Sequence, residues 1–289
     1  MSTLTEESTQ KFVQLKRWKI RYNEAGEGHP VIMLHGSGPG ATGWSNFGAN
    51  IKDLSKKYRV IAIDFPGWGL SDTFDPDSGA RFQVNADIVV ELMDALGIDK
   101  AALVGNSMGG IASQMITAQH PNRVSHCITM GAPAPGGPQV FYQPLGLTEG
   151  LKILFEAYRV PTEAMIRKLV EIMIFDSSFV TDELIKQRAD NANANTDHLK
   201  NFLKGLATMH IDAVGRDDLV HALEQSSTPA LIIHGRDDRV VPVEHSLRAA
   251  ALMPNATLVV FNRCGHWAQW EHAAKFNGLV SGFIESMPG

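Results

Sequence analysis

The 289-residue chain is poor in cysteine, with only Cys127 and Cys264. Two thiols cannot build the disulfide framework of a small secreted domain. Positive charge is also short: 26 Lys and Arg stand against 31 Asp and Glu, a formal net charge of −5. That balance offers no basic field to nucleic acid. No apolar run approaches the roughly 20 residues that a membrane-spanning helix needs. The opening residues Met1-Ser2-Thr3-Leu4-Thr5-Glu6-Glu7 are polar and acidic, the opposite of a secretion signal, so the expected compartment is the cytoplasm. Neither a P-loop Lys-Ser/Thr nor a full G-x-G-x-x-G is found, which argues against a phosphate cradle. The cluster His234-Gly235-Arg236-Asp237-Asp238 lacks the spacing of zinc ligands. Neither metal nor cofactor is expected, and there are no internal repeats or low-complexity tracts.

What the chain does have is a core: 44% of its residues are hydrophobic and 20% are charged. Extended apolar segments recur at Lys19–Asn23, Val31–His35, Arg59–Asp64, Ala101–Gly105, His126–Gly131, Ala230–His234 and Thr257–Phe261. Most are near-continuous apolar runs, as buried parallel strands should be. Helical patterns such as Asn85–Leu96 and Met108–Gln119 alternate with them. This alternation predicts an α/β fold, a mainly parallel twisted sheet with helices on both faces. From Ala134 to about Asp212 the pattern changes. Pro133-Ala134-Pro135-Gly136-Gly137-Pro138 reads as a hinge, and the strands stop. Met165, Ile166, Leu169, Val170, Ile172 and Met173 recur on one helical face, and Thr181-Asp182-Glu183-Leu184 looks like a helix start. The expected organisation is a core of residues 1–133 and 213–289 with a helical lid at 134–212 over the C-terminal edge of the sheet.

Gly105-Asn106-Ser107-Met108-Gly109 has the form G-x-S-x-G between a strand and a helix. Such a turn is strained, and the glycines are there because side chains beside it would collide. It lifts the Ser107 hydroxyl towards the positive end of the following helix. His234-Gly235-Arg236-Asp237-Asp238-Arg239-Val240-Val241-Pro242 follows another buried run and carries two candidate acids. Asp238 is chosen over Asp237 for its spacing to Pro242; Asp237 fits a turn or a pair with an arginine. Asp64 and Asp72, near Asp64-Phe65-Pro66-Gly67-Trp68-Gly69, are second choices better explained as turn residues. Of 11 histidines, His266 in Arg263-Cys264-Gly265-His266-Trp267 lies after the last strand. It completes the order Ser, Asp, His of an α/β-hydrolase.

A serine hydroxyl is a poor nucleophile until a base takes its proton. His266 fills that role, with Asp238 holding the tautomer and supporting the imidazolium. The oxyanion needs donors, and the Met108 backbone N–H is one. The loop His35-Gly36-Ser37-Gly38-Pro39-Gly40 can supply another, with the Ser37 N–H preferred to that of Gly38; one such donor is typically worth about 10²–10³ in rate.

Three strings together carry a finer resemblance: His35 to Ala41 with Trp44-Ser45-Asn46, Gly105 to Gly110, and Gly265-His266-Trp267-Ala268-Gln269-Trp270-Glu271. With Thr181 to Leu184 and Gln187-Arg188, they make the chain similar to the meta-cleavage product hydrolases over nearly its whole length. Members of that family break a carbon–carbon bond in 2-hydroxy-6-oxo-hexa-2,4-dienoate compounds during bacterial degradation of aromatic rings. The resemblance implies Ser107, Asp238 and His266 as triad and Ser37 with Met108 as oxyanion donors. It implies Arg188 as the clamp on the dienoate carboxylate, a task suited to a planar guanidinium fork. Asn46, Asn106, Trp267 and Gly38 would hold the polar end of the substrate. Without the resemblance, Arg188 reads as a solvated charge paired with Asp190 or Glu183, Trp267 as packing and Asn106 as a turn residue.

Ketonisation of the dienol would create the electron sink that lets carbon depart. Attack at the C6 carbonyl would then give a stabilised dienol and a carboxylic acid, with an acyl-enzyme favoured over a gem-diol. Phe141, Ile153 and Met173 are candidates to sort the C6 substituent, and homo-oligomers are expected by family analogy. The triad alone also permits a carboxylesterase, and a ligand receptor of the same fold is the alternative from another class.

Overall fold

The structure is a computed structural model, which describes residues 4–136, 147–213 and 216–287, with side chains undescribed at 206–213. Eight strands form one sheet: β1 (Gln10–Gln14), β2 (Lys19–Ala25), β3 (Pro30–Leu34), β4 (Arg59–Ile63), β5 (Ala101–Asn106), β6 (Val124–Met130), β7 (Ala230–Gly235) and β8 (Ala256–Phe261). Their order is β1-β2-β4-β3-β5-β6-β7-β8. The β1–β2 and β2–β4 pairs are antiparallel, and the rest of the sheet is parallel. All seven strands expected from the apolar runs are present. The one not expected, β1, is almost wholly exposed at the sheet edge, and its apolar pair Phe12-Val13 is too short a run to mark it.

Because side chains alternate across a strand, a sheet covered on both faces needs apolar residues at odd and even positions alike. Ile32 and Leu34 enter one core cluster, whereas Val31 and Met33 enter the other. The helices Arg81–Ala95 and Met108–Gln119 pack on the first face, and Gly43–Leu54 with Ala273–Ser286 on the second. Between β6 and β7 the described residues contain no strand. The helices Glu149–Arg159, Glu163–Met173, Asp182–Ala194 and Thr196–Ala213 occupy this excursion. The stripe read from Met165 to Met173 does bury Ile166, Leu169, Val170, Ile172 and Met173. Thr181 caps the next helix by accepting the Leu184 N–H at 3.2 Å. Part of the proposed hinge, and Phe141, lie outside the described residues. Among those residues, no helix is long and apolar enough to cross a membrane.

Candidate active site

Strand β5 ends at Asn106 and the helix Met108–Gln119 begins two residues later, so Ser107 must reverse the chain alone. It does so at φ 52 and ψ −115, a strained conformation for a residue with a side chain. Its flanking glycines are required. A Cβ on Gly105 would sit 2.3 Å from the Gly109 carbonyl oxygen, and one on Gly109 would sit 2.0 Å from that of Leu34. The turn leaves Ser107 partly accessible and the Met108 N–H at the start of the helix, where no intrahelical acceptor exists.

The loop after β7 places Asp238 beside His266. The histidine Nδ1 lies 2.7 Å from Asp238 Oδ2. Asp238 Oδ1 accepts the Val240 and Val241 N–H groups at 2.8 and 3.0 Å. An ionised carboxylate only accepts, so the proton is on Nδ1 and Nε2 is left as the basic nitrogen. Burial alone would raise the Asp238 pKa, but His266, His234 and the Val241 N–H outweigh it and hold the carboxyl below its ordinary value. Asp237 takes the other role weighed for it, pairing with Arg236 at 3.2 Å and accepting the Cys264 N–H.

Asn106 ties the elbow to the histidine. Its Nδ2 donates to the backbone oxygens of Met130 and His266, each at 3.3 Å, while its buried Oδ1 has no partner. Gly36, at the head of the loop after β3, lies so close that an added Cβ would be 3.3 Å from Ser107 Cβ. The Ser37, Gly38 and Met108 N–H groups bond to no acceptor among the described residues.

Arg188 is not a solvated charge. It is 2% exposed, its Nε has no partner, and Asp190 pairs with Lys186 instead. The guanidinium lies 4.8 Å from the centroid of the Trp267 ring, and an added Cβ on Gly38 would meet its Nη2 at 3.2 Å. Burial lowers its pKa to about 10, so it stays charged at neutral pH. A buried cation with no anionic partner among the described residues is costly, and it suits an anionic ligand. Asn46 is buried nearby in sequence terms, but its Nδ2 bonds back to the Thr42 carbonyl at 3.0 Å.

Asp64 and Asp72 serve the architecture. Asp64 is fully buried, accepts the Gly43 N–H at 2.7 Å and pairs with Arg21 at 3.3 Å, while burial raises its pKa to about 6. Asp72 accepts the Lys19 N–H at 2.6 Å. Among the described residues no group of His, Cys, Asp or Glu could hold a metal ion.

Three further residues support the site, of which Tyr158 and His198 carried no sequence signal and Glu271 stands at the end of the Gly265–Glu271 string with no role read for it. Buried Glu271 accepts the N–H groups of Gly265, Phe175 and Asp176, tying the His266 loop to the end of the helix Glu163–Met173. The His266 N–H also donates to the Met173 carbonyl at 2.7 Å. Tyr158 donates its phenol proton to the Ser37 carbonyl, with His198 behind it. Single residues without periodic or motif context show their partners only once the chain is folded.

The family model of the alpha/beta hydrolase fold matches residues 29–273. A 2-hydroxy-6-oxononadienedioate/2-hydroxy-6-oxononatrienedioate hydrolase of Dechloromonas aromatica is 46% identical over 288 residues, 98% of this chain and 97% of its own. A 2-hydroxy-6-oxo-6-phenylhexa-2,4-dienoate hydrolase of Burkholderia cepacia is 44% identical, covering 98% and 99%. Among solved structures, the meta-cleavage product hydrolase of Pseudomonas fluorescens, a serine-to-alanine mutant with acetates, superposes with a TM-score of 0.82. It is 34% identical and covers 96% of this chain and 97% of its own. The elbow, the acid–histidine pair and these likenesses lead to one assignment: the chain belongs to the α/β-hydrolase fold family and, within it, to the meta-cleavage product hydrolases.

Proposed function

We propose that the protein hydrolyses the C5–C6 bond of 2-hydroxy-6-oxo-hexa-2,4-dienoate-type compounds, releasing a 2-hydroxy-dienoate and a carboxylic acid. The observation that carries this reading is Arg188, a buried guanidinium beside Gly38 and Trp267 that has no acidic partner among the described residues. A plain ester needs no such cation. A dienoate carries its carboxylate at C1, and the two curated relatives share that head while differing beyond C6.

In this reading Arg188 grips the carboxylate, with Asn46, Asn106, Trp267 and the Gly38 N–H around the 2-oxygen. Protonation at C5 converts the dienol to its keto form, in which C5 is conjugated through the C3–C4 double bond to the C2 carbonyl. His266 Nε2 removes the Ser107 proton as the serine oxygen attacks C6, and Asp238 stabilises the imidazolium. The Ser37 and Met108 N–H groups receive the oxyanion. Collapse breaks C5–C6, and the electron pair moves through C3–C4 onto the C2 oxygen. The imidazolium gives its proton to the departing dienolate; water, deprotonated by the neutral His266, then releases the acid, and the proton returns to Ser107. The helices between β6 and β7 act as the lid that excludes bulk water, with Ile153 and Met173 candidates to contact the C6 substituent. The reading includes a cytoplasmic homo-oligomer, which light scattering on the purified protein would test.

The experiment mixes the protein with coloured dienoates bearing phenyl or carboxyethyl groups at C6, and separately with 4-nitrophenyl acetate. Bleaching of at least one dienoate is expected, and the better one names the substituent. Turnover of the ester alone would overturn the proposal.

A further inference from the structure

The loop after β3 is held by its carbonyls. In a trans peptide the C=O and the following N–H point in opposite directions, so fixing one aims the other. Three successive carbonyls are each bound by a different side chain. His35 Nδ1 lies 2.7 Å from Gly36 O, and because its Nε2 accepts the Phe65 N–H at 3.0 Å, the proton must be on Nδ1. Trp68 Nε1 donates to Gly38 O at 3.0 Å. Between them, the Tyr158 phenol donates to Ser37 O.

His35 and Trp68 belong to the core, but Tyr158 is on the inserted helix Glu149–Arg159. It is 1% exposed and stacked on Phe202, with ring centroids 3.9 Å apart and planes 7° apart. Its position is therefore set by packing within the insertion. A carbonyl cannot donate, so the phenol proton goes to Ser37 O and the phenol oxygen is free to accept. His198 Nε2 lies 3.5 Å from that oxygen, and His198 Nδ1 has no partner. The sequence of bonds runs from His198 through Tyr158 to the Ser37–Gly38 peptide.

That peptide ends in the Gly38 N–H, which has no acceptor among the described residues and sits at the residue against Arg188. We infer that Tyr158 is a positioning residue for the dienoate head. From the insertion it fixes and polarises the Ser37–Gly38 peptide, so that the Gly38 N–H, together with Arg188, receives the negative charge reaching the C2 oxygen when C5–C6 breaks. This rests on the proposed reaction and adds a requirement to it: the site is incomplete until the insertion is docked. Ordinary esters develop no charge at that position, so they do not use this peptide in the same way.

The test is Tyr158→Phe, which keeps the stacked ring and removes only the hydroxyl. Turnover of a dienoate and of 4-nitrophenyl acetate are measured on the same preparation. Loss of a preorganised donor weakens transition-state stabilisation, so the dienoate-to-ester kcat ratio should fall about tenfold, with KM for the dienoate changed by less than about twofold. A merely structural tyrosine would lower both activities together, and a ratio within about twofold of wild type would overturn the inference. Should Tyr158→Phe not fold, His198→Leu removes the donor behind the phenol and is read in the same way, with a fall of about threefold expected and an unchanged ratio counting against. If the wild-type protein bleaches no dienoate, the proposed reaction itself fails. Bleaching with an unchanged ratio removes only the role of Tyr158.

Discussion

The two ends of the site are built on opposite principles. At Asp238 the protein completes its own electrostatics: one carboxylate oxygen takes two backbone N–H groups and the other takes His266. At Arg188 nothing is completed. Arg188 is as deeply buried as the Asp238 side chain, yet it lies over Trp267 and finds no carboxylate among the described residues. In the proposed reaction the charge satisfied within the fold orients His266, and the one left unsatisfied is kept for the ligand. The first end was visible as a motif; the second was implied by the family resemblance alone, and the fold adds that its burial contradicts its charge.

The comparison breaks most sharply at Asp238. Asp238→Asn keeps the shape but favours the wrong tautomer of His266, and kcat should fall by about 10⁴ in steady-state assays on the preferred dienoate. Loss below about tenfold would detach Asp238 from the machinery. At the other end, Arg188→Met should lower kcat/KM for the dienoate by about 10²–10³ by removing a charge-assisted anchor. The same substitution removes an unpaired buried cation. Unfolding should therefore show a stability gain of about 1–3 kcal/mol, the opposite sign from its effect on turnover. A variant both less active and less stable would mean that Arg188 supports the fold.

The smallest effect separates architectural acids from functional ones. Asp64 has its pKa raised by burial from 3.8 to about 6. The folded state therefore holds this proton more tightly than the unfolded chain, and the contribution of Asp64 to stability declines as pH rises between those values. Across that window the wild type should lose about 3 kcal/mol relative to Asp64→Asn, measured by urea unfolding at a series of pH values. A difference independent of pH would refute the assignment.

Much of this molecule was readable before folding, for identifiable reasons. Buried parallel strands are continuous apolar runs, and the helix Glu163–Met173 announces itself by its stripe. Strand β1 escaped because an exposed edge strand needs no apolar residues. Ser107 and His266 stand in motifs whose glycines are dictated by backbone contacts, so local sequence reports them. Tyr158 and His198 bond to partners far away in the chain: Ser37 for Tyr158 and Tyr158 for His198. No local pattern encodes such pairings.

The central claim is that Ser107 attacks a dienoate anchored by Arg188. Titrating Ser107→Ala with the coloured dienoate, alone and combined with Arg188→Met, addresses both halves in one spectrum. The single variant should bind the compound and leave its colour intact for hours, and the double variant should not bind it at comparable concentration. Bleaching by Ser107→Ala at the wild-type rate, or undiminished binding by the double variant, would contradict the account.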